Sequence, residues 1–215
     1  MKTHRIDKGE CFSSLAEKYG FHDPNEHYTH PDHAGLKAKR ENLNLLCKGD
    51  AVKIPDKEKQ EIAGAGGQRH KFKAKGIRTY LRLLVEDYEG NSLAGKEYKL
   101  EVGNEVFEGQ TGGDGLVEHM VLASVTEGRL EVWLDDAAKS SMVWPLDIGD
   151  LEPHDQNRGV QARLNNLGFS CGAVDGIVGP DTKAAIKAFK KKNGLSDDDI
   201  LDDATKNKLK TVYGF

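Results

Sequence analysis

The stretch Gly159-Val-Gln-Ala-Arg-Leu-Asn-Asn-Leu-Gly168, with Val174-Asp-Gly-Ile-Val-Gly-Pro-Asp-Thr182 and Ala184-Ala-Ile-Lys-Ala-Phe189 behind it, decides how the C-terminal part of the chain folds. Val160, Leu164 and Leu167 fall at i, i+4 and i+7, one face of a helix. Gly168 follows where a left-handed cap is expected. Pro180 suits the first position of a second helix, where a missing N–H is harmless, and Asp181 and Thr182 suit its first turn. Ala185, Ile186 and Phe189 supply the buried stripe of that helix, and Asn193-Gly194 ends it. A third helix begins near Asp202 or Asp203, with Leu209 and Val212 as its apolar contacts. Core packing does not account for the Asp175-Gly176…Gly179 loop between the first two helices. Two glycines beside an acidic residue let backbone approach a ligand closely, and they equally suit a tight structural turn.

Taken in order, Val-Gln-x-x-Leu, Leu-Gly, Val-Asp-Gly-x-x-Gly-x-x-Thr and Ala-x-x-x-Phe closely resemble the small three-helix peptidoglycan-binding domain family. The resemblance implies that residues 156–215 form a three-helix bundle that holds cell-wall stem peptide or glycan without cutting it. Carried onto this sequence, it makes Asp175, Gly176, Gly179 and Thr182 the candidate contacts, with Gln161 and Arg163 nearby.

The chain has 215 residues, 37% hydrophobic and 31% charged, with a formal net charge of −4. That balance describes a hydrophilic chain and offers no electrostatic case for nucleic acid or an anionic membrane. No run approaches the roughly 20 apolar residues of a membrane span. The N-terminus, Met1-Lys-Thr-His-Arg-Ile-Asp, carries no apolar h-region. The expectation is synthesis in the cytoplasm without a signal peptide and action in the periplasm or cell envelope after non-classical export. Cys11, Cys47 and Cys171 form no disulfide framework, and no spacing rule decides for or against a Cys11–Cys47 bridge.

At the other end, His4 to Asp7 reads as a strand that turns through Lys8-Gly9 into a helix from Ser13 to Tyr19, ended by Gly20. Leu45-Leu-Cys-Lys-Gly-Asp-Ala-Val-Lys-Ile-Pro55 reads as a turn and a second strand. This frame looks like a LysM domain, the βααβ glycan-binding module, over residues 1–56. The family's opening Gly-Asp-Thr-Leu corresponds to Gly9, Glu10, Cys11 and Phe12. Its closing Leu-x-x-Gly-x-x-(apolar)-x-Ile-Pro corresponds to Leu46, Gly49, Val52, Ile54 and Pro55. The Asp-Thr pair has become Glu10-Cys11, and Tyr28 to Arg40 enlarges the second-helix region. The resemblance makes the Gly9–Phe12 loop and Leu45, Leu46, Lys48 and Gly49 the candidate sugar contacts. His4, His22, His27, His30 and His33 crowd this segment. The His27-x-x-His30-x-x-His33 spacing invites a metal, but Pro31 interrupts it, so these histidines read as surface or loop-packing residues with no metal and no cofactor.

Residues 57–77 read as a linker around Ala63-Gly-Ala-Gly-Gly67. Residues 78–150 then show about five short strands between Tyr80 and Leu134, broken by turns at Glu89–Asn91, Gly103-Asn104 and Gly112–Gly115. They suggest a small β-sandwich, and Thr111-Gly-Gly-Asp-Gly-Leu-Val looks like a turn of transthyretin-like or carboxypeptidase-regulatory-like sandwiches. One Asp in that turn falls short of a calcium ligand set. Trp133 and Trp144 read as core or junction aromatics, and Pro145 to Asp155 as the lead into the C-terminal helices. His119 is the region's one histidine and it has no cysteine, which excludes a local Cys-His pair. Glu86 and Asp87 are adjacent on a strand and point apart, so they would not flank one bond.

The expected whole is a multidomain α+β chain: a βααβ LysM-like domain, a small β-sandwich and a three-helix bundle. The expected function is non-catalytic peptidoglycan binding at two points, each weak and strengthened by tethering. The same order of modules resembles small proteins associated with contractile injection, or type VI secretion-like, machines. There such modules bind protein, which makes spike or tube proteins the alternative partners and a structural adaptor or cargo-associated component the alternative role. A peptidoglycan hydrolase is the third reading, and it lacks visible catalytic groups.

Overall fold

The N-terminal segment is ordered by a pair of strands and a capped helix. β1 (Lys2–Arg5) precedes α1 (Phe12–Tyr19), α2 (Pro24–Thr29), a 3₁₀ turn at Pro31–His33, α3 (Ala34–Lys39) and β2 (Ala51–Ile54). β1 and β2 pair antiparallel, with Lys2 opposite Ile54 and Arg5 opposite Ala51. The first strand therefore sits two residues earlier than the His4–Asp7 expectation, because Ile6 turns inward and its N–H donates to Asp50 O at 2.9 Å. α1 starts at Phe12 rather than Ser13. Cys11 is its N-cap in a reciprocal capping box with Ser14, and Gly20 closes it at φ 72°. Phe12, Leu15, Ala16, Val52 and Ile54 form the apolar interior. The structure is a computed structural model and describes residues 1–21, 23–56, 63–71, 76–87, 89–135 and 140–214. His22 and parts of the expected linker, residues 57–62 and 72–75, lie outside the described residues.

One histidine of the cluster belongs to this interior. His33 is 2% exposed. Its Nδ1 lies 2.6 Å from His27 O, and its Nε2 accepts the Lys53 N–H at 2.9 Å. The ring stands edge-on to Phe12. A neutral imidazole with its proton on Nδ1 satisfies both bonds, and protonation of Nε2 would break the second.

The middle region is wholly antiparallel. β3 (Arg78–Leu84) pairs with β6 (Leu116–Leu122), while β4 (Glu97–Val102), β5 (Glu105–Gln110), β7 (Glu127–Asp135) and β8 (Ser140–Asp147) form a sheet in the order β5-β4-β7-β8. Alternation along β4 turns Tyr98, Leu100 and Val102 inward against Val117, Val121, Leu130 and Val132. Each such side chain contributes about 1.5–3 kcal/mol when fully buried. Gly103-Asn104 makes a two-residue hairpin, since Val102 faces Glu105 directly. β8 corrects the expectation that Pro145 opens a connecting segment. Pro145 lies within the strand opposite Arg129, and β8 is an edge strand, where a missing N–H is tolerated. Trp144 of β8 packs on the core.

Three helices follow: α4 (Asn157–Asn166), α5 (Pro180–Lys192) and α6 (Asp203–Tyr213). Val160, Leu164, Ala185, Ile186, Phe189 and Leu209 share one core, to which Cys171 adds its thiol. Gly168 takes φ 81°, Pro180 stands in the first turn of α5, and Asp202 caps α6 by accepting the Thr205 N–H. Val212, expected in the core, is 42% exposed, and the buried Thr205 holds the inward position about two helical turns earlier. Two cations anchor the helices. Arg163 is fully buried, donates to the Glu152 and Gly159 carbonyls, and lies over the Tyr213 ring. Lys190, 1% exposed, reaches Asp198, Ile200 O and Asp202. The Lys190 ammonium in turn holds the Asp198 carboxyl down at about 2. Cys11, Cys47 and Cys171 form no disulfide. The chain divides into two compact units, Met1–Asn44 with Lys48–Asp150, and Leu151–Phe215 with Leu45–Cys47.

Two predictions follow from these packings. Burial pushes His33 below its ordinary value of 6.5. Its contribution to stability is therefore complete above that value and is lost as pH falls through the depressed one. Thermal melts between about pH 7.5 and pH 5 should show a falling midpoint that His33→Gln flattens; an unchanged slope in the variant would count against the assignment. At Gly159, an added Cβ would collide with the carbonyl oxygens of Pro153 and Glu152. Gly159→Ala should cost about 2–3 kcal/mol in denaturant unfolding, whereas Gly168→Asn, beside open space, should cost far less.

Candidate functional site

The loop between α4 and α5 is ordered by a single buried amide. Gln161 is 1% exposed. Its Nε2 donates to Asp175 Oδ1 and Ile177 O at 3.0 Å each and to Thr182 Oγ1 at 3.1 Å. Its Oε1 accepts the Gly176 N–H at 2.7 Å. Two amide hydrogens thus serve three acceptors, and one side chain ties both ends of the loop to the helix. Asp175 Oδ1 also accepts the Ile177 N–H at 2.8 Å, and Asn157 Nδ2 donates to Gly176 O at 3.1 Å. Gly176 takes φ 84° and lies against the Arg158 stem, whose Nη1 in turn donates to Val174 O.

These bonds divide the six sequence candidates into two groups. Gln161, Arg163 and Thr182 are buried and work inside the domain. Their polar atoms are spent on the loop and on the chain entering α4, so each supports the loop from within. Asp175 is exposed, and Gly176 and Gly179 are half-buried. A Cβ on Gly179 would meet nothing within 4 Å, so the space beside it is open. The Gln161 hydrogen bond holds the Asp175 carboxyl below its ordinary value. It is therefore ionised at neutral pH while standing at the surface. Beside it, Ile177 is 69% exposed. Sequence reasoning passed over Ile177, although an isoleucine between two loop glycines is the kind of apolar residue a turn does not require.

The result is a rigid projection with an anionic acceptor, accessible backbone and one apolar contact. Such a surface suits a ligand that offers N–H donors and an apolar face. Its order is pre-formed, so little entropy is lost when a ligand docks.

The N-terminal candidates are also placed. Gly9 takes φ 78° and Gly49 φ 93°, each with open space where a Cβ would stand. The two loops are linked by the ion pair of Lys48 with Asp7 at 3.0 Å and by Gly49 N–H donating to Ile6 O at 2.8 Å. Phe12, Cys11 and Leu46 are buried in the interior of the segment. Leu45 is half-buried and Lys48 exposed. Glu10 is enclosed by cations and donors: Lys18 Nζ at 2.5 Å, His4 Nε2 at 2.6 Å and the Asp7 N–H at 3.0 Å. Burial works against its charge, yet the bonds from Lys18, the Asp7 backbone and His4 prevail and hold the carboxyl at about 2. His4 continues the chain to Tyr19 Oη at 3.0 Å. The altered Glu10-Cys11 pair is thus a structural device, one member bridging β1 to α1 and the other capping the helix.

Removing the hub should separate loop order from fold. Gln161→Ala strands the Gly176 N–H, at about 1–3 kcal/mol for a buried group left unpaired. Hydrogen exchange should show lost protection at Gly176 and Ile177 while α5 retains its own. Equal protection in variant and parent would refute the hub.

Residues 154–209 match the model of the peptidoglycan-binding domain family. No curated protein and no solved structure matches the chain. The matched span, described as a putative peptidoglycan binding domain, covers Gln161, the loop it orders and most of α6, so the site just described lies within the matched residues.

Proposed function

We propose that this chain is a non-catalytic cell-wall binding protein whose principal contact is the Asp175–Gly179 loop. The observation that carries this reading is the coincidence of the family match with a surface loop built to stay rigid. Asp175 supplies a carboxylate acceptor for amide or ammonium N–H groups, Ile177 an apolar contact, and Gly176 and Gly179 a close approach to backbone. Peptidoglycan offers such partners in its stem peptides and its acetamido sugars.

The N-terminal segment, read as LysM-like, adds a second and weaker contact through Gly9, Lys48 and Gly49. Its support is the antiparallel pairing of β1 with β2 around the intervening helices and the open space at both glycines. Two weak sites on one tether gain from effective concentration on a repeating polymer. The absence of catalysis is part of the same reading. Asp87, one of the acidic pair considered for it, spends its carboxylate on the Glu89 and Asn91 N–H groups and the Asn91 amide.

The test is retention of the full chain on purified, insoluble sacculi. The parent should sediment with the wall, and Ile177→Asp and Asp175→Asn should each lower retention about tenfold, as expected for central contacts. Failure of the parent to sediment, or full retention by both variants, would overturn the assignment.

A further inference from the structure

β8 ends the four-stranded sheet, and among the described residues no strand pairs with its outer edge. The Ile148 N–H donates to Thr126 O at 2.8 Å, which continues the β7–β8 register by one bonded pair. Antiparallel pairs alternate between bonded and unbonded, so Leu146, Trp144 and Met142 bond to β7. The backbone N–H and C=O of Ser141 and Val143 therefore point away from β7, as does the C=O of Pro145. Pro145 fits this order, since its missing N–H falls on the outer side.

Natural edge strands are commonly blunted by charge, lysine above all. The stretch Ser140-Ser-Met-Val-Trp-Pro-Leu146 carries none, in a chain of which 31% of residues are charged. Met142 and Val143 are 45% and 43% exposed on the two faces of this strand. Met142 lies opposite the fully buried Val132, so the apolar layer of the core continues past the last covered strand. Val143 lies opposite Glu131, whose carboxylate takes the Ser141 hydroxyl at 2.7 Å and Arg129 Nη2 at 3.4 Å.

We infer that β8 is an interface with a second copy of this chain, the two edges pairing antiparallel across a two-fold axis near Val143. Charge selects this occupant. A two-fold axis brings each strand residue near its own like, and like charges facing across strands repel. β8 has no charge to repel through Leu146, and the carboxylate beside Val143 is already held. The opposite edge of the same sheet, β5, carries Glu105 and Glu108 and is unsuited to pairing with itself. About the axis the two Val143 residues exchange main-chain hydrogen bonds, and Met142 of each copy lies beside Trp144 of the other. The interface is small, so the dimer is weak, with a Kd of about 10–100 µM. It rests on none of the residues assigned to wall binding.

The experiment is sedimentation velocity of the full chain from about 5 to 500 µM, a range that brackets that Kd. Monomer should pass into a discrete dimer. Val143→Lys should raise the Kd at least about tenfold, whereas Val106→Lys, at an exposed position on β5, should leave it unchanged. Hydrogen exchange of the parent over the same range needs no variant. The Ser141 and Val143 amides should gain protection with concentration, while those of Met142 and Trp144, bonded to β7, keep theirs throughout. A monomer at every concentration, equal weakening by both lysine variants, or exchange at Ser141 and Val143 that ignores concentration would overturn the proposal. Asp175→Asn should leave the dimer intact, so this inference and wall binding can each fail without the other.

Discussion

The buried amide of Gln161 is the constraint on which the candidate site depends. A loop of two glycines, an aspartate and an isoleucine would otherwise sample many conformations, since glycine lowers the cost of leaving any one of them. Four hydrogen bonds from one side chain remove that freedom, and they are made where water does not compete. The amide is itself held because α4 is held. Gly159 lets the 152–153 backbone lie against the helix, and Arg163 fastens the Glu152 carbonyl from one turn further on. Loop order is thus passed down from packing at the start of the domain.

Polar groups carry much of the specification elsewhere too. His33 links the 3₁₀ turn to β2, Glu10 links β1 to α1, and Lys190 fastens the segment before α6. Each sits where apolar burial alone would leave the chain free to slide. In a hydrophilic chain, such buried or half-buried ties choose one arrangement among several of similar apolar content.

The sequence disclosed the parts of this design that rest on local chemistry. Leu164 and Phe189 announce helical faces by their spacing, Gly168 and Pro180 mark helix ends, and Gly103-Asn104 marks a hairpin. The parts it concealed depend on partners far along the chain. Gln161 reads as one more polar residue on α4, because its partners lie 14 to 21 residues away. Arg163 looks like a surface cation until Glu152 and Tyr213 are seen around it. His33 looks like one of a histidine cluster until β2 supplies its donor. β8 escaped notice because Pro145 speaks against a strand, and only its place at the sheet edge makes it acceptable. Of the site itself, the loop was legible as a loop with an unexplained acid and two glycines. Which residues face outward was not.

The central proposal is that the unit of α4, α5 and α6 meets peptidoglycan through the Asp175–Gly179 loop. The most direct test is residue-resolved mapping of the full chain with a soluble disaccharide-peptide fragment of peptidoglycan. The account predicts saturable shifts concentrated at Asp175, Gly176, Ile177 and Gly179, with the buried amides of α5 little changed. Saturable binding that leaves those four residues unmoved, or no binding at all, would contradict it.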